Sequence, residues 1–530
     1  MRKIKSFLVG LHIAKKWLYL AGGALLIGNG LAIWQTREWG IDNFIALVLG
    51  NLCMLTAFIY LAFLYRTSQR ISGWDEAKIH STFRKTTILL GLAMLIVPFF
   101  FIVRVPFSAH DWDFFVIFRN TSFLHGRTFD HLPMTENQLL YFLRYPNNQL
   151  FGIIENTLFE GTTSNLSKII WMTGLSSTLT SIALVAGSMS VRKLVSERMA
   201  IFYNLAAAGF LPFYVYGAQF YTDTASIPFV MLGLLFIIYA MKADKIKQQV
   251  IYWIIACLII FAGYYIKPTV TFPLIAALCF MLLNRKWKTV LLVIPIAALS
   301  FMTAHITVDK IVSSDPTFSQ KMNDRYNLPL VHWITMSFAP DNYSGGFDPN
   351  VLDYSEQFTS KAAKQEADIK LFEENVKKQG IPGILLQLGR KISYTWFNGD
   401  LRDFFYTFRH SNPILDHYFD WVGPQHPGNP TGYILLTAAQ LMYWIFIVFF
   451  LWYEIYLSIF KKWKTFWFIL ALSIVGLTGF LLIWEANSRY LYNFAPVIIT
   501  LALQGLLDFN QRKKRKGQSL VEGEENAISE

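Results

Sequence analysis

Apolar runs of near-bilayer length recur along the whole of this chain, and the short linkers between alternate runs are all basic. A helix needs roughly 20 mostly apolar residues to cross the hydrocarbon core. Twelve segments answer to that: 17–34, 43–65, 87–105, 169–189, 199–217, 225–241, 249–266, 270–283, 289–308, 433–460, 465–484 and 491–508. The eighth is short, and residues 249–283 read alternatively as one hairpin that fails to cross twice. Either way the later topology is unchanged, because two spans are gained or lost together. Segments 1–16, 66–86, 190–198, 242–248, 284–288, 461–464 and the tail after 508 carry clusters such as "VRK…ER", "KADKIK", "NRKWK" and "QRKKRK". The opposite short linkers carry hardly any Lys or Arg. Cytoplasmic loops are the basic ones in membrane proteins, so both termini are expected in the cytoplasm. The expected fold class is an all-α polytopic membrane protein of the cell membrane.

Composition agrees. Hydrophobic residues make up 54% of the chain and charged residues 15%, against about 25% charged in soluble domains. The net charge of +12 sits in the short linkers, which removes nucleic acid as the expected partner and leaves membrane lipids. Cys53, Cys257 and Cys279 lie inside apolar runs and read as small core residues, without metal-site spacing. The basic start "MRKIKSFLVGLHIAKKW" has no small-residue cleavage site after its apolar run, so that run is expected to be a retained span.

The expected organisation follows from the runs. Residues 1–105 hold three spans, 106–168 a first long outer segment, 169–308 spans four to nine, 309–432 a second long outer segment, 433–508 the last three spans, and 509–530 a disordered tail. Within 309–432, "DYSEQFTSKAAKQEADIKLFEENVKKQG" predicts a charged helix closed by Gly380. The following "IPGILLQLGRKISYTWF" predicts an amphipathic helix in the membrane interface.

Charged residues gather on the outer side. Asp111 and Asp113, in "HDWDFF", follow an apolar run directly; Asp223 lies in the short loop "YGAQFYTDTAS". Lys267 sits between two apolar runs, and Glu485, Arg489 and Tyr490 lie in "WEANSRYLYNFAP" between the last two spans. Each has a bland explanation. Lys267 reads also as an interface anchor, Asp223 as a helix N-cap, and Arg489 as the partner of Glu485 four residues away on a helix. His110, His125 and His131 are too scattered for a metal site. Their joint placement on one side is the signal. Nucleotide sugars and ATP are not available outside the cell, so an activated substrate there has to travel in the lipid.

The chain resembles the GT-C-type integral membrane glycosyltransferases, close to the bacterial protein-mannosyltransferase-like family (glycosyltransferase family 39-like) of Gram-positive organisms. The acidic motif at Asp111 and Asp113, the "YTD" loop, the "E-x-N-S-R-Y-L-x-x-x-x-P" segment from Glu485 to Pro496 and "QGIPGILLQLGRKISYTWFNGD" carry the likeness. Where family members have an adjacent acidic pair, this chain has Asp-Trp-Asp, so both aspartates stay candidates. Asp111 is preferred for its nearness to the membrane exit and for Gly126, which follows at a family-like spacing. The resemblance implies a GT-C-like bundle of about 12 spans. It also implies a polyprenyl-phosphate sugar donor and an extracytoplasmic glycan, teichoic acid, glycolipid or protein as acceptor. Asp111 or Asp113 then serves as general base, Lys267 and Arg489 bind the donor phosphate, and Glu485, Asp223 and Tyr490 support them. No resident cofactor is expected; a divalent cation on the second aspartate is the one left open.

Two other classes compete. A lipid-linked polysaccharide polymerase or ligase would be expected to rely on outer-loop Arg or His residues. A transporter would place ionisable residues near mid-membrane and show internal repeats, and neither is visible in the sequence.

Overall fold

The structure, a computed structural model, describes residues 73–101, 112–403 and 431–509, with Tyr406 and scattered positions between 55 and 71. The expected span at 17–34, most of that at 43–65, the candidate Asp111 and the tail from 510 lie outside the described residues. Every element among the described residues is helical. Seven helices are long and apolar enough to cross a membrane: Glu76–Phe101, Asn165–Leu194, Thr222–Lys242, Ile246–Tyr264, Trp287–Ser313, Ala438–Phe460 and Ser488–Phe509. The protein is an all-α polytopic membrane protein.

Local chemistry sets the helix starts. Asp75 Oδ1 accepts from the Lys78 backbone N–H at 2.7 Å, and Ser196 Oγ from that of Met199 at 3.2 Å. Each satisfies an N–H left open by the first helical turn. Arg192 and Lys193 close Asn165–Leu194, where cations meet the negative end of the helix dipole.

Three of the expected spans differ in form. Residues 199–217 are not one straight helix but Glu197–Ala208 and Pro212–Ala218, bent by 70°. Pro212 supplies no backbone N–H to the preceding turn, and a Cβ on Gly209 would sit 2.6 Å from a carbon of the Tyr60 ring. Backbone groups freed inside a membrane need new partners, and side chains provide them here. Gln440 accepts from Leu211 N–H and donates to Gly209 C=O, both at 3.2 Å, while Tyr443 Oη donates to Ala206 C=O at 2.7 Å. The runs at 270–283 and 465–484 form the shorter apolar helices Pro268–Leu283 and Trp467–Ile483. These two meet through Phe272 and Phe480, whose ring centres are 6.0 Å apart.

Three basic linkers meet at one end of the bundle. Arg192 and His80 both pair with Glu197 at 2.8 and 3.0 Å, Arg198 pairs with Glu76 at 3.0 Å, and Lys242 Nζ donates to Lys193 C=O. The two long segments pack on each other instead. Arg144 is gripped by both oxygens of Glu356, Phe129 N–H donates to Asp315 Oδ2 at 2.9 Å, and Gln149 Nε2 to Asn323 Oδ1 at 2.8 Å. Gly380 does interrupt the charged helix, at φ +60°, but the chain re-enters helix at once and continues to Trp396.

Candidate active site

A cavity of about 690 Å³ lies between the two long segments and the last inter-helix loop. Asp113, Glu485, Arg489 and Tyr490 line it; Asp223 and Lys267 sit directly behind Arg489. Six of the seven singled-out residues thus come together from four separate parts of the chain.

Arg489 is the hub. It enters on the 3-10 turn Ser488–Phe494, whose start is held by Asn487 Oδ1 accepting from Arg489 N–H at 3.1 Å. Its side chain is 4% exposed. Nε lies 3.0 Å from Asp223 Oδ2, and Nη2 lies 3.6 Å from Asp113 Oδ2. The first contact is an ion pair set off the hydrogen-bond direction, and among the described residues neither Nε nor Nη1 has a hydrogen-bond acceptor. Aromatic rings enclose the guanidinium: Trp112 and Tyr406 at 4.5 Å, Tyr221 at 5.3 Å and Tyr490 at 5.6 Å. Such faces attract a cation through the ring quadrupole.

Asp113 opens the helix Asp113–Leu124. Tyr141 Oη donates to its Oδ1 at 2.8 Å and Tyr221 Oη to its Oδ2 at 3.1 Å. Asn148 Nδ2 in turn donates to Tyr141 Oη at 2.7 Å, so the carboxylate is held from both sides. Asp223 lies in the first turn of Thr222–Lys242 but does not cap it; Tyr221 is the N-cap. Its side chain is taken instead by Lys267 and Arg489, which offset the cost of burying an anion. Lys267 also lies over the Tyr490 ring at 4.6 Å, so it is not a free interface anchor. Burial pulls its ammonium below the usual lysine range, against the opposing effect of Asp223. With two aspartates and two cations, the cluster balances its formal charge.

The helical pair that would be the bland explanation of Glu485 and Arg489 is not formed. Residues 485–487 are non-helical, and Arg489 turns to the two aspartates. Glu485 faces the cavity with its carboxyl pushed up to about 7, first by burial and then by the charge of Asp113, against the pull of Arg489. Among the described residues, no three His, Cys, Asp or Glu side chains group in a way that would hold a metal ion.

Several wall residues escaped the sequence reading. Trp112, Tyr221 and Asn487 lie inside the motifs of the sequence, but Tyr141, Arg144, His332 and Tyr406 reach the site from distant positions. Asn487 Nδ2 donates to Tyr406 Oη at 2.7 Å, and Trp112 Nε1 to Tyr406 C=O at 3.0 Å. No local spacing marks such residues, because only the packing of separate segments makes them neighbours.

Fold and site together define a polytopic helical membrane protein with a charge-balanced, aromatic-walled polar cavity at one end of its spans. Its sequence matches, over residues 40–507, the family described as conserved hypothetical integral membrane protein, and the chain belongs to that family. No curated protein gives a sequence match. Among solved structures it is similar to ArnT from Cupriavidus metallidurans bound to undecaprenyl phosphate, at 12% identity and a TM-score of 0.34, over 79% of this chain and 76% of that one. It is also similar to the archaeal oligosaccharyltransferase AglB from Archaeoglobus fulgidus in complex with an inhibitory peptide and a dolichol-phosphate. That match has 15% identity and a TM-score of 0.35, over 84% of this chain but only 52% of AglB, about half its length.

Proposed function

We propose that the protein is a GT-C-type membrane glycosyltransferase that moves a sugar from a polyprenyl-phosphate donor to a glycan, glycolipid or protein acceptor outside the cytoplasm. One observation carries the reading: Arg489 stands between two aspartates at the wall of a large polar cavity beside the spans. In the reaction the acceptor oxygen bonds to the anomeric carbon, the bond from that carbon to the phosphate oxygen breaks, and the acceptor proton passes to a carboxylate. Arg489 suits the departing phosphate, because a guanidinium offers paired N–H donors in a fixed plane. Lys267 and Asp223 hold it in place.

Of the acidic motif, Asp111 lies outside the described residues, and Asp113 lines the cavity. Both its oxygens already receive tyrosine O–H groups, and Arg489 stands beside it. Glu485 is the second proton acceptor in reach, and its raised affinity for a proton suits base catalysis near neutral pH. The test is transfer by purified protein given a polyprenyl-phosphate sugar and candidate acceptors. Absence of transfer from any such donor, with intact fold, refutes the reading.

A second reading, a lipid-linked polysaccharide polymerase or ligase, draws on Arg144, Arg402 and His332 in the same cavity. His332 Nδ1 lies 2.9 Å from Ser355 Oγ, which donates to Asp368 Oδ1 at 2.6 Å. Use of a glycan on polyprenyl pyrophosphate, in place of a single sugar on polyprenyl phosphate, would favour it.

A further inference from the structure

The helix Lys361–Trp396 changes character at Gly380. Before the break its exposed positions include Glu373, Glu374, Lys377 and Lys378. After it they are Ile381, Pro382, Leu385, Leu386, Gly389 and Ile392, with Ile381 78% and Leu385 63% exposed. None of these six is charged or polar. At about 100° per residue they fall on one face of the helix.

The opposite face is polar and buried. Gln387 Nε2 donates to the carbonyls of Ser337 and Asn342 at 3.0 and 2.8 Å. Lys391 Nζ donates to Ser337 Oγ at 2.8 Å and to Trp484 C=O at 2.7 Å. A helix that meets water has its polar groups outward and its apolar stripe inward; this one is inverted. Its depth is also marked. Ser337 Oγ donates to the carbonyl of Ile483, the last residue of the apolar helix Trp467–Ile483, at 3.1 Å, and Ile483 is itself 56% exposed. The inverted helix is therefore pinned at the level where an apolar helix of the bundle ends.

We infer that Ile381–Trp396 is seated in the lipid bilayer, with Ile381, Leu385, Leu386 and Ile392 at the acyl-chain boundary of the leaflet beside the cavity. The left-handed Gly380, at φ +60°, redirects the chain there, so the charged half is free to leave the membrane surface. Tyr394, from the same helix, lines the cavity. One helix thus forms a wall between lipid and site.

Spin labels on the full-length chain in phospholipid nanodiscs test this. Leu385→Cys, Ile392→Cys and Glu374→Cys are each made in a background without Cys53, Cys257 and Cys279, and Leu386→Cys repeats the measurement if Leu385→Cys folds poorly. At 385, 386 and 392, collision with dissolved oxygen should exceed collision with a water-soluble nickel chelate several-fold, and the order should reverse at 374. A label at 385 or 386 as open to nickel as that at 374 overturns the inference. So does a label that neither reagent reaches, because the face is then covered by protein, a second copy of the chain included.

Discussion

The last spanning helix, Ser488–Phe509, carries a charge network at each of its ends, and the two are built differently. At its start, Arg489 joins Asp113, Asp223 and Lys267. Near its finish, Asp508 joins Lys462 and Glu454, with Ser458 donating to Glu454 Oε1 at 2.9 Å and Gln504 donating to Asp508 Oδ2 at 3.2 Å. Lys462 comes from the basic linker 461–464 and ties it to two helices. The first network is caged by aromatic rings, leaves two guanidinium nitrogens without acceptors and opens on the large cavity. The second ties a helix end to a loop and does not line that cavity. Burial and charge alone do not distinguish a site from a clasp; access to a cavity and an aromatic cage around the cation do.

The sharpest break of this comparison is Asp113→Asn. Transfer should fall about a hundredfold to ten-thousandfold, the range for a lost general base, with the folded fraction largely retained. A wild-type rate would reduce Asp113 to a helix-start residue. Arg489→Lys should follow the same course, because an ammonium cannot replace a planar two-pronged contact; unchanged binding of a polyprenyl phosphate would remove Arg489 from the donor site.

Stability should respond strongly to Asp223→Asn. The change leaves Lys267 and Arg489 facing each other in a buried site, and breaking a buried pair costs about 3–5 kcal/mol. Thermal unfolding in detergent reads this. Lys462→Met, at the other end, should lower stability by less, because Lys462 is 25% exposed and solvent screens its loss. Its transfer rate per folded molecule should stay at the wild-type value. A loss of transfer there would erase the distinction between the two networks.

A pH profile sharpens the comparison further. Glu485 binds its proton more tightly in the folded protein, at about 7 against an ordinary 4.5. Its contribution to stability is therefore fully present below about 4.5 and lost as pH rises through about 7. Activity runs the other way if Glu485 accepts the proton, rising through the same range. Glu485→Gln should flatten both limbs near pH 7, and a profile identical to wild type in both would assign them elsewhere. The smallest effect is expected at Glu155, buried in the first long segment, where among the described residues only Thr121 Oγ1 donates to it, at 3.0 Å. Burial pushes its carboxyl up to about 8, so Glu155→Gln should raise the melting temperature slightly above pH 8 and leave transfer alone.

Much of the membrane architecture was legible in the chain. Apolar length sets which segments can cross a bilayer, and the expected spans from 87 onward fall on helices as far as they are described, that at 199–217 on two. The bend at Gly209–Pro212 was not legible as a break, because whether a membrane helix tolerates one depends on a distant Gln440 to satisfy its backbone. At the site, the sequence marked the charged residues by their position at span ends but left their partners open. Glu485 and Arg489 look like a helical pair only if the stretch between them is helical, and it is not.

Hydrophobic length is a property of single segments, so the sequence by itself determined that this is a helical membrane protein with charged residues at the ends of its spans. Which acid faces which base is a property of pairs brought together across more than a hundred residues, as with Asp113 and Arg489. Only the tertiary structure decided that Asp223 serves Lys267 and Arg489 rather than its own helix. A buried carboxylate goes to the nearest cation that packing supplies, and sequence distance does not measure that.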